Sequence, residues 1–416
     1  MASDRFIVTV GYTDKTGGAA RATLDFAKVA SECRPGSFSV FATDLPSSLV
    51  GRANWVLWWA VRVLEHFFIR LLYPNRIVKQ SLNTFSNRRI KALLNNQVGS
   101  PRFHLHWIAN STLSIRELGR LPVGTMITLH DEWLIAGTSH YSQTEGCPIN
   151  DDRKSLFRPV ATWLDRHIYE RKKRAFSSRQ DLTVTVPSAW MKRRVVASGV
   201  FSATNVTVIP NAVNTDKFFP APERRFQARE KLGLTQQDFL VCFGADKSQR
   251  NPIKGTDLFI DLLTVMTLNP SRFRNVTFVV FGGLTVDPSI TRNLRFLNLG
   301  PIQDREELAD LYRASDLVLH LARLEAFGLV PCEAMSCGTP VICFDNSGAA
   351  ELIADGITGY LCPAFDVEAV ANKISSLVDE TAAFRENTRA QARQRVVAEY
   401  SLQKLSERYG ALLMKD

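Results

Sequence analysis

Residues 316–363 read DLVLHLARLEAFGLVPCEAMSCGTPVICFDNSGAAELIADGITGYLCP, and this stretch contains the pattern that decides the fold. An apolar strand, Leu317–His320, is followed by a loop, by a short helix with Pro331 in its first turn, and by a second apolar strand, Val341–Phe344. Short apolar strands that alternate with helices indicate a parallel sheet covered by helices on both faces. The stretch therefore predicts an α/β fold.

The same alternation recurs along the whole chain of 416 residues. Further strands are predicted at Phe6–Val10, Phe103–Trp107, Gly124–Leu129, Leu182–Val186, Phe239–Phe243 and Val276–Phe281. A chain of this length predicts two domains, each a doubly wound parallel sheet. The Pro-Asn turn and the polar residues that follow Val206 interrupt the pattern, so we place a boundary there. Residues 1–205 form the first domain, residues 206–385 the second, and residues 386–416 a helical tail expected to pack back on the first.

The composition is that of an ordinary globular protein. It is 45% apolar and 22% charged, with a net charge of +10, which excludes disordered, collagen-like and disulfide-scaffold classes. Seven cysteines without a CxxC pair predict buried thiols, and residues 1–10 lack a signal-peptide pattern, so a cytoplasmic location is expected. A basic nucleic-acid-binding protein is an alternative, because residues 166–174 form a basic run. Its cations spread around a helix that contains Glu170, and no groove-reading motif accompanies them, so no nucleic-acid partner is expected.

The segment Trp55–Tyr73 bears on the question of membrane contact. Its roughly 19 residues have about the length of a spanning helix, but Arg62, Glu65, His66 and Arg70 all fall within one arc, which makes the helix amphipathic. Tryptophans lie between the cations of that arc, as in helices that rest on a membrane surface. Two interpretations stay open. The helix either packs on the domain with an aromatic cover on its other face, or its Arg and Trp face contacts an anionic membrane.

Two helix N-termini are candidates for phosphate binding. Gly17 and Gly18 follow the first strand, and glycines at a strand-to-helix turn let the backbone approach an anion; a tight turn is the alternative. In the second domain, Glu325 precedes a helix start and Glu333 lies two turns along, with the amides of residues 327–329 between them. Carboxylates accept hydrogen bonds from sugar hydroxyls, whereas helix-end amides bind a diphosphate.

Three histidines lie on or after neighbouring strands. His130 follows the strand Gly124–Leu129, which places an imidazole at the carboxyl end of a parallel strand, where open α/β sheets bind ligands; an N-cap or core histidine is the alternative. His104 and His106 alternate on one strand, and because no third ligand lies near them in sequence, packed imidazoles are favoured over a metal site. The sequence has no Asp-x-Asp to hold a divalent cation and no GxxxxGK[ST] of a P-loop ATPase. We therefore expect no bound metal.

The motif EAFGLVPCEAMSCGTPVI at residues 325–342, with its Glu-x7-Glu spacing, resembles the signature of the retaining GT-B glycosyltransferases of the large bacterial group 1, family four. Other stretches resemble the family in the same order along the chain: Gly17–Arg21, His104–Trp107, Thr128–Trp133, Val186–Trp190, Val208–Val213, Lys254–Gly255 and Asp345–Gly348. The resemblance spans nearly the whole chain and is closest to exopolysaccharide and lipopolysaccharide transferases. It implies two Rossmann-like domains that face each other across a cleft.

The resemblance implies a role for each of these positions. Glu333 would bind the nucleotide ribose, Glu325 and His130 would lie near the donor sugar, and Lys254 would neutralise the leaving phosphates. Further donor contacts are implied for Gly17 and Gly18, for the amides of Phe327, Gly328 and Leu329, and for Gly283 and Ile302 in the base pocket.

One position departs from the family pattern. The family usually has an Arg directly after the glycine that ends the first strand of the second domain, but here Ala245 follows Gly244. The loop beyond contains Lys247 and Arg250, and either residue could restore the missing cation. Arg250 is favoured because its guanidinium can hold a phosphate through two hydrogen bonds; a solvated basic loop is the alternative.

The resemblance implies an enzyme without cofactor or metal that transfers a sugar from a UDP- or GDP-linked donor to a saccharide or lipid-linked acceptor, with retention at the anomeric carbon. The expected setting is cell-surface polysaccharide synthesis, in the cytoplasm or at the cytoplasmic face of the inner membrane. The candidate catalytic residues are His130, Glu325, Lys254 and Arg250. Another GT-B enzyme, a nucleotide-sugar epimerase or a phosphorylase, is the alternative.

Overall fold

The computed structural model describes residues 5–15, 17–74, 77–96, 98–142, 157–235, 237–244 and 252–414. The chain divides into two compact units, the first comprising Met1–Asn211 with Leu405–Asp416 and the second Ala212–Lys404. The division after Asn211 lies a few residues beyond the boundary placed after residue 205. Of the expected tail, residues 386–404 belong to the second unit, and residues from Leu405 onward belong to the first.

A six-stranded parallel sheet forms the centre of the first unit, in the order β2-β1-β3-β4-β5-β6. Its strands are β1 (Ile7–Gly11), β2 (Phe38–Phe41), β3 (Arg102–His106), β4 (Met126–Thr128), β5 (Thr183–Val186) and β6 (Val206–Val208). Its helices are α1 (Gly18–Cys33), α2 (Leu49–Leu72), α3 (Arg88–Asn95), α4 (Ile115–Leu118), α5 (Arg158–Phe176), α6 (Ala189–Ala197) and most of the last helix, α14 (Leu402–Leu413).

The second unit contains another six-stranded parallel sheet, in the order β12-β11-β10-β7-β8-β9. Its strands are β7 (Phe239–Gly244), β8 (Val276–Phe281), β9 (Arg295–Asn298), β10 (Leu317–His320), β11 (Val341–Phe344) and β12 (Tyr360–Cys362). Its helices are α7 (Pro222–Lys231), α8 (Thr256–Thr267), α9 (Pro288–Thr291), α10 (Arg305–Ala314), α11 (Leu329–Ser336), α12 (Val367–Val378) and α13 (Ala382–Tyr400). The prediction of two doubly wound α/β domains is confirmed.

The central strands are apolar because helices cover both faces of each sheet. Val10 and Leu105 are fully buried in the first unit, as are Val241, Phe278 and Val318 in the second. The six cysteines among the described residues are free thiols, and all of them except the half-buried Cys33 lie in the core; Cys147 lies outside the described residues. No helix among the described residues is both long enough and apolar enough to span a membrane.

The strand order reverses at one point in each sheet. In the first unit the reversal lies between β1 and β3, and in the second it lies between β7 and β10. At such a point the two strands have connections that run to opposite faces of the sheet, which opens a crevice at their carboxyl ends where α/β folds bind ligands.

The helix α2 contradicts the expectation that its Arg and Trp face is the exposed one. Trp58 and Glu65 are buried, and Arg62 is half-buried against aromatic rings. The apolar arc faces outward instead, with Val56, Leu57, Val63, Leu64, Phe67, Phe68 and Leu71 between 44% and 64% exposed. The polar arc can turn inward because Glu65 accepts hydrogen bonds from the amides of Leu82 and Asn83 and from the Ser111 hydroxyl, which replace the water it loses.

Candidate functional site

In the crevice of the second unit, the described part of the loop that follows β7, residues 252–254, lies against the loop that follows β10. The Arg323 amide donates to the Ile253 carbonyl at 2.7 Å, which ties the two loops together. Gly255 lies at the contact with φ +72°, and a Cβ there would come within 1.8 Å of the Leu321 carbonyl oxygen, so only glycine fits. The Arg323 guanidinium then binds both carboxylate oxygens of Asp257, at 2.6 and 2.7 Å. These contacts fix the backbone on either side of Lys254.

Lys254 and Glu325 meet in this crevice. The Lys254 Nζ donates to Glu325 Oε2 at 2.7 Å, and His320 Nε2 lies 3.9 Å from the same oxygen. Burial acts to raise the pKa of Glu325. The charge of Lys254, the charge that His320 carries when protonated, and hydrogen bonds from Lys254 and the Phe327 amide outweigh burial and hold the pKa of Glu325 below its usual value. Burial lowers the pKa of His320 to about 4. At neutral pH the crevice therefore holds a carboxylate, an ammonium group and a neutral imidazole.

The helix α11 begins directly beside this cluster. Gly328 is its N-cap residue, with φ 98°, and a Cβ there would lie 2.7 Å from Pro331 Cγ. Because glycine has no side-chain oxygen, the N-cap residue makes no hydrogen bond to the first amides of α11, and these amides stay available to a ligand. Leu329 is the first residue of the helix, so the expected amides of Gly328 and Leu329 lie at its start, whereas the Phe327 amide bonds to Glu325.

Glu333 lies on α11 one helical turn beyond Leu329 and is 1% exposed. Its Oε1 accepts a hydrogen bond from Arg305 Nη2 at 2.7 Å. Arg305 is the first residue of α10, and its guanidinium stacks on the Phe218 ring 4.6 Å away. This ion pair fixes the carboxylate in a buried position, which suits recognition of a neutral hydroxyl group by direct hydrogen bonding.

Gly283 and Ile302, the expected base-pocket residues, lie in the loops that follow β8 and β9. The Gly282 amide donates to the Gly300 carbonyl at 2.8 Å, which joins the two loops. Ile302 is half-buried in the same apolar cluster as Leu329 and Val330. The two loops and the start of α11 therefore lie at one end of the sheet.

Arg250 and Lys247, the two candidates for the missing family Arg, lie outside the described residues, as does Ala245. Their expected role stays a prediction.

The crevice of the first unit holds the other candidates. Gly17 is the N-cap residue of α1, and Gly18 is the first residue of that helix, so both lie at an N-terminus without a side-chain cap, beyond the loop that follows β1. His130 follows β4, and its Nε2 lies 3.0 Å from His106 Nδ1. Burial lowers the pKa of His130 to about 4, so its imidazole is neutral at neutral pH.

His104 and His106 form part of a packed hydrogen-bonded row. His104 bonds to the Tyr409 hydroxyl and to Thr128 Oγ1, each at 2.7 Å, and its ring centroid lies 4.1 Å from that of His106. Both residues are completely buried, and burial lowers the pKa of His104 to about 3. Among the described residues, no group of three or more His, Cys, Asp or Glu side chains could hold a metal ion.

Asp131 connects several side chains around the same crevice. It accepts hydrogen bonds from the Trp107 indole at 2.5 Å and from His140 Nδ1 at 2.6 Å, and the other nitrogen of His140 bonds to Ser81 Oγ at 2.8 Å. Burial acts to raise the pKa of Asp131, but the interaction with His140 and the bonds from Trp133 and Trp107 lower it. Asp131 is therefore an ionised group that holds its neighbours in position.

Sequence reasoning missed two residues of these sites. His320 ends β10 at the reversal point of its sheet, and the signal applied to His130, an imidazole at the carboxyl end of a parallel strand, would have found it. Arg305 carries no comparable signal, because its partner lies 28 positions away. The second unit thus combines a lysine, two carboxylates and an uncapped helix N-terminus, which can bind a ligand that carries both hydroxyls and phosphates.

Comparison with known proteins identifies a family over part of the chain. Residues 225–395 match the family Glycosyl transferases group 1. A D-inositol 3-phosphate glycosyltransferase of Salinispora arenicola is 31% identical over 197 residues, which cover 43% of this chain and 43% of that protein. The lipopolysaccharide core biosynthesis mannosyltransferase LpsB of Rhizobium meliloti is 31% identical over 183 residues, covering 42% of this chain and 51% of that protein. The chain therefore matches about half or less of the length of these curated relatives.

Solved structures resemble the chain over nearly its whole length. A crystal structure of Anabaena Alr3699/HepE in complex with UDP and glucose covers 99% of this chain and 100% of that protein, with a TM-score of 0.61 and 18% identity. At this identity the likeness shows the fold alone, which is the GT-B fold with its two parallel sheets.

Proposed function

Residues 225–395 form a group 1 glycosyltransferase domain, and from this premise we propose that the chain is a hexosyltransferase-type enzyme. It transfers a sugar from a nucleotide-diphosphate sugar, UDP- or GDP-linked, to a saccharide or lipid-linked acceptor. One observation carries the proposal: Glu325, Lys254 and the uncapped start of α11 lie together, with the buried Glu333 one turn into the same helix.

In this proposal each part of the donor has a partner in the second unit. The ribose hydroxyls bond to Glu333, which Arg305 holds in place at 2.7 Å. The base lies against Gly283 and Ile302, and the diphosphate accepts hydrogen bonds from the amides at the start of α11. The lowered pKa of Glu325 keeps it ionised, so that it accepts hydrogen bonds from the donor sugar.

The reaction proceeds by stabilisation of the leaving nucleoside diphosphate. Lys254 is bonded to Glu325, so its ammonium group is held at the crevice before the donor arrives. Charge that develops on the leaving phosphate is then met by an oriented cation and by the amides of α11, and these groups need no rearrangement during the reaction. We propose that Lys254 and Arg250 supply this charge without a divalent cation.

His130 contributes from the first unit as a neutral imidazole. With a pKa of about 4 it neither adds charge near the sugar nor competes with Asp131 for a proton. It positions donor or acceptor hydroxyls by hydrogen bonding, and transfer occurs with retention at the anomeric carbon. A donor phosphate oxygen is the group that takes the proton of the acceptor hydroxyl.

The curated relatives support a setting in the synthesis of cell-surface glycans, since one of them is a lipopolysaccharide core mannosyltransferase. An epimerase or a phosphorylase of the same fold is the second candidate, and the acceptor requirement separates these enzymes. An epimerase would convert the donor in the absence of an acceptor.

We further propose that α2 contacts a membrane surface through its apolar arc. Phe67 and Phe68 are 63% and 54% exposed, and Trp163 of the adjoining α5 is 62% exposed. The two helices share an apolar cluster, and exposed Arg70 and Arg166 lie on the same helices. Exposed aromatic rings next to cations suit an anionic bilayer, and a lipid-linked acceptor would be met there.

The experiment is a turnover assay with a panel of UDP- and GDP-sugars, with and without short saccharide acceptors and a lipid-linked oligosaccharide extract. We expect release of one nucleoside diphosphate that depends on acceptor, and nuclear magnetic resonance of the product should show the anomeric configuration of the donor. Conversion of donor without acceptor would replace the proposal by an epimerase. Dependence on inorganic phosphate as the acceptor would replace it by a phosphorylase.

A further inference from the structure

Trp107 directly follows β3, at the crevice of the first unit, and has no part in the proposed donor site. The strand β3 lies between β1 and β4, so the carboxyl ends of these three parallel strands meet at one edge of the sheet. His106 pairs with Thr128 in the register of β3 and β4, and Trp107 and His130 therefore leave the sheet side by side. A ligand that enters this crevice meets both side chains.

The backbone of Trp107 is strained. Its φ value is 45°, in the left-handed region, where a bulky aromatic residue is a genuine outlier. The indole Nε1 donates to Asp131 Oδ2 at 2.5 Å, and the indole packs edge-on against the Tyr12 ring, with the two centroids 5.3 Å apart. The surroundings therefore fix the backbone and the ring together, and strain that is held in this way is concentrated at sites that bind ligands.

The Trp107 ring has a buried side and an open side. His140 lies on the buried side, since it is only 3% exposed and its ring centroid is 5.4 Å from that of the indole. Lys79 is exposed, and its Nζ lies over the indole at 4.1 Å from the centroid. Trp107 itself is half-buried, so part of the indole reaches solvent. Because a lysine side chain is flexible and an exposed cation–π contact is weak, a ligand ring can replace the ammonium group over the indole.

His130 offers a polar group beside this ring. Its Nε2 lies 3.0 Å from His106 Nδ1, whereas its own Nδ1 has no hydrogen-bond partner among the described residues. Unlike His106 Nε2, which is buried without a partner, His130 Nδ1 is not enclosed by protein, so a ligand can reach it. Burial lowers the pKa of His130 to about 4, so the imidazole is neutral, and this nitrogen either donates or accepts a hydrogen bond. A hydroxyl group suits both cases, because it can also do either.

The groups around Trp107 favour an uncharged ligand. Asp131 is ionised and repels an anion, and both of its oxygens are already used, Oδ2 by Trp107 and His140 and Oδ1 by the Trp133 amide at 3.0 Å. A ligand that replaces the Lys79 ammonium meets the negative face of an aromatic ring, which attracts C–H groups and not anionic oxygens. The axial C–H groups of a pyranose form such an apolar face, and its hydroxyls project from the rim.

We propose that Trp107 is the stacking platform for a neutral pyranose ring of the saccharide acceptor, and that His130 Nδ1 bonds to one of its hydroxyl groups. The inference rests on the proposed transferase function for the role of acceptor, whereas the binding of a saccharide does not depend on it. Asp131 is a positioning residue of this site, because it fixes the indole. An open-chain polyol carries the same hydroxyl groups without the apolar face, so the site excludes it.

The test uses the full chain and four probes: methyl β-D-glucopyranoside, methyl β-D-galactopyranoside, methyl α-D-mannopyranoside and the open-chain polyol D-sorbitol. Saturation-transfer difference nuclear magnetic resonance measures the Kd and shows which probe protons lie against the protein. We expect at least one pyranoside to bind, with the strongest saturation on its axial ring protons, and sorbitol not to bind. Trp107→Ala removes the ring, and Trp107→Phe keeps a smaller ring without the N–H. Phe85→Ala is the matched control, since Phe85 is an aromatic residue of the same unit that is 55% exposed.

We expect Trp107→Ala to raise the Kd of the pyranoside about 10-fold or more, as truncation of a central tryptophan does in other binding sites. Trp107→Phe should raise it about 2- to 10-fold, and His130→Ala, which removes one neutral hydrogen bond, by a similar factor of about 2 to 10. Phe85→Ala should leave the Kd unchanged.

Three results overturn the proposal: no binding of any pyranoside, equal binding of sorbitol, or pyranoside binding that the Trp107 variants leave unchanged. The last result would place the sugar in another site. If Trp107→Ala fails to fold by circular dichroism, Trp107→Phe decides the question. Donor binding in the second unit is titrated separately with nucleotide sugars. Its failure would refute the proposed function and leave the saccharide site standing, whereas loss of the saccharide site alone would leave the proposed function intact.

Discussion

The substitution Glu333→Gln tests the donor site most informatively, because it changes charge without changing shape. Glu333 is 1% exposed and bonded to Arg305 at 2.7 Å, so the variant replaces an ionised acceptor by a neutral one in a fixed position. A hydrogen bond to a charged group contributes about 1.5 to 3 kcal/mol and a neutral one about 0.5 to 1.5 kcal/mol. The difference of about 1 to 2 kcal/mol predicts a donor Kd raised by roughly 5- to 30-fold.

The ribose does not react, so its bond to Glu333 is nearly the same in the ground and transition states. We therefore expect the donor KM to rise while kcat changes by less than about 3-fold. The weakened pair with Arg305 should also lower stability by about 1 to 2 kcal/mol, a fall in Tm of a few degrees for a unit of this size. Calorimetry with the nucleoside diphosphate and steady-state kinetics measure the two effects.

Glu307→Gln is the matched control, since Glu307 is exposed on α10, the helix of Arg305. It removes the same charge from the same region and should leave Kd, KM and Tm unchanged. An unchanged donor Kd in Glu333→Gln, with a normal circular dichroism spectrum, would refute the assignment of Glu333 to the ribose.

Four further predictions follow from the same structure. Lys254→Met should lower kcat by about 10²- to 10³-fold with a smaller effect on donor KM, because it removes an oriented charge at the leaving phosphate; a change confined to KM would contradict that role. Chelation with EDTA should change the turnover rate by less than about twofold. A loss of turnover that magnesium restores would show that a divalent cation holds the diphosphate. Phe67→Glu with Phe68→Glu should abolish sedimentation with anionic vesicles, whereas Phe226→Glu, an exposed position on α7, should not; equal sedimentation of both variants would exclude α2. Burial holds the pKa of His104 at about 3 against 6.5 for the unfolded chain, so the unfolded state binds more protons and stability falls as the pH drops from 6.5 toward 3. Between pH 7 and pH 5 the contribution of His104 to the free energy of unfolding, measured with urea, should fall by about 2 kcal/mol. A free energy of unfolding that depends on pH in the same way in His104→Gln would contradict this prediction.

The sequence predicted the central strands of both sheets and missed the edge strands. Val276–Phe281, Leu317–His320 and Val341–Phe344 are predicted with the observed bounds. The four strands that were missed, β2, β6, β9 and β12, are the two edges of each sheet. An edge strand has one unpaired side and a less buried face, so its sequence lacks a continuous apolar run. In β9, for example, Arg295 and Asn298 are exposed.

The candidate site was predictable where a local motif carried it. The Glu-x7-Glu spacing placed Glu325 before α11 and Glu333 within it, as the structure has them. The pairing of Lys254 with Glu325 joins residues 71 positions apart, and it depends on the neighbouring positions of β7 and β10 in the sheet. Local sequence does not contain strand order, so the partners of these side chains could not be derived from it.

The predicted orientation of α2 was wrong for a different reason. Hydrophobicity alone assigns the arc of Arg62 and Glu65 to solvent, since burying charges is costly. That cost is offset by aromatic rings around Arg62 and by three donors to Glu65, and Tyr12 and all three donors come from residues distant in sequence. A helical wheel shows which residues share a face, but it does not show which face meets the domain.

The central claim is that a nucleotide-diphosphate sugar binds at the carboxyl ends of β7 and β10, against the start of α11. Hydrogen–deuterium exchange of the full chain, with and without a saturating donor, tests it most directly. We predict protection of the amides of residues 325–330, and weaker protection in Glu333→Gln when both proteins are compared at a donor concentration near the Kd of the unaltered protein. Saturable donor binding that leaves these amides exchanging at the unliganded rate would contradict the claim.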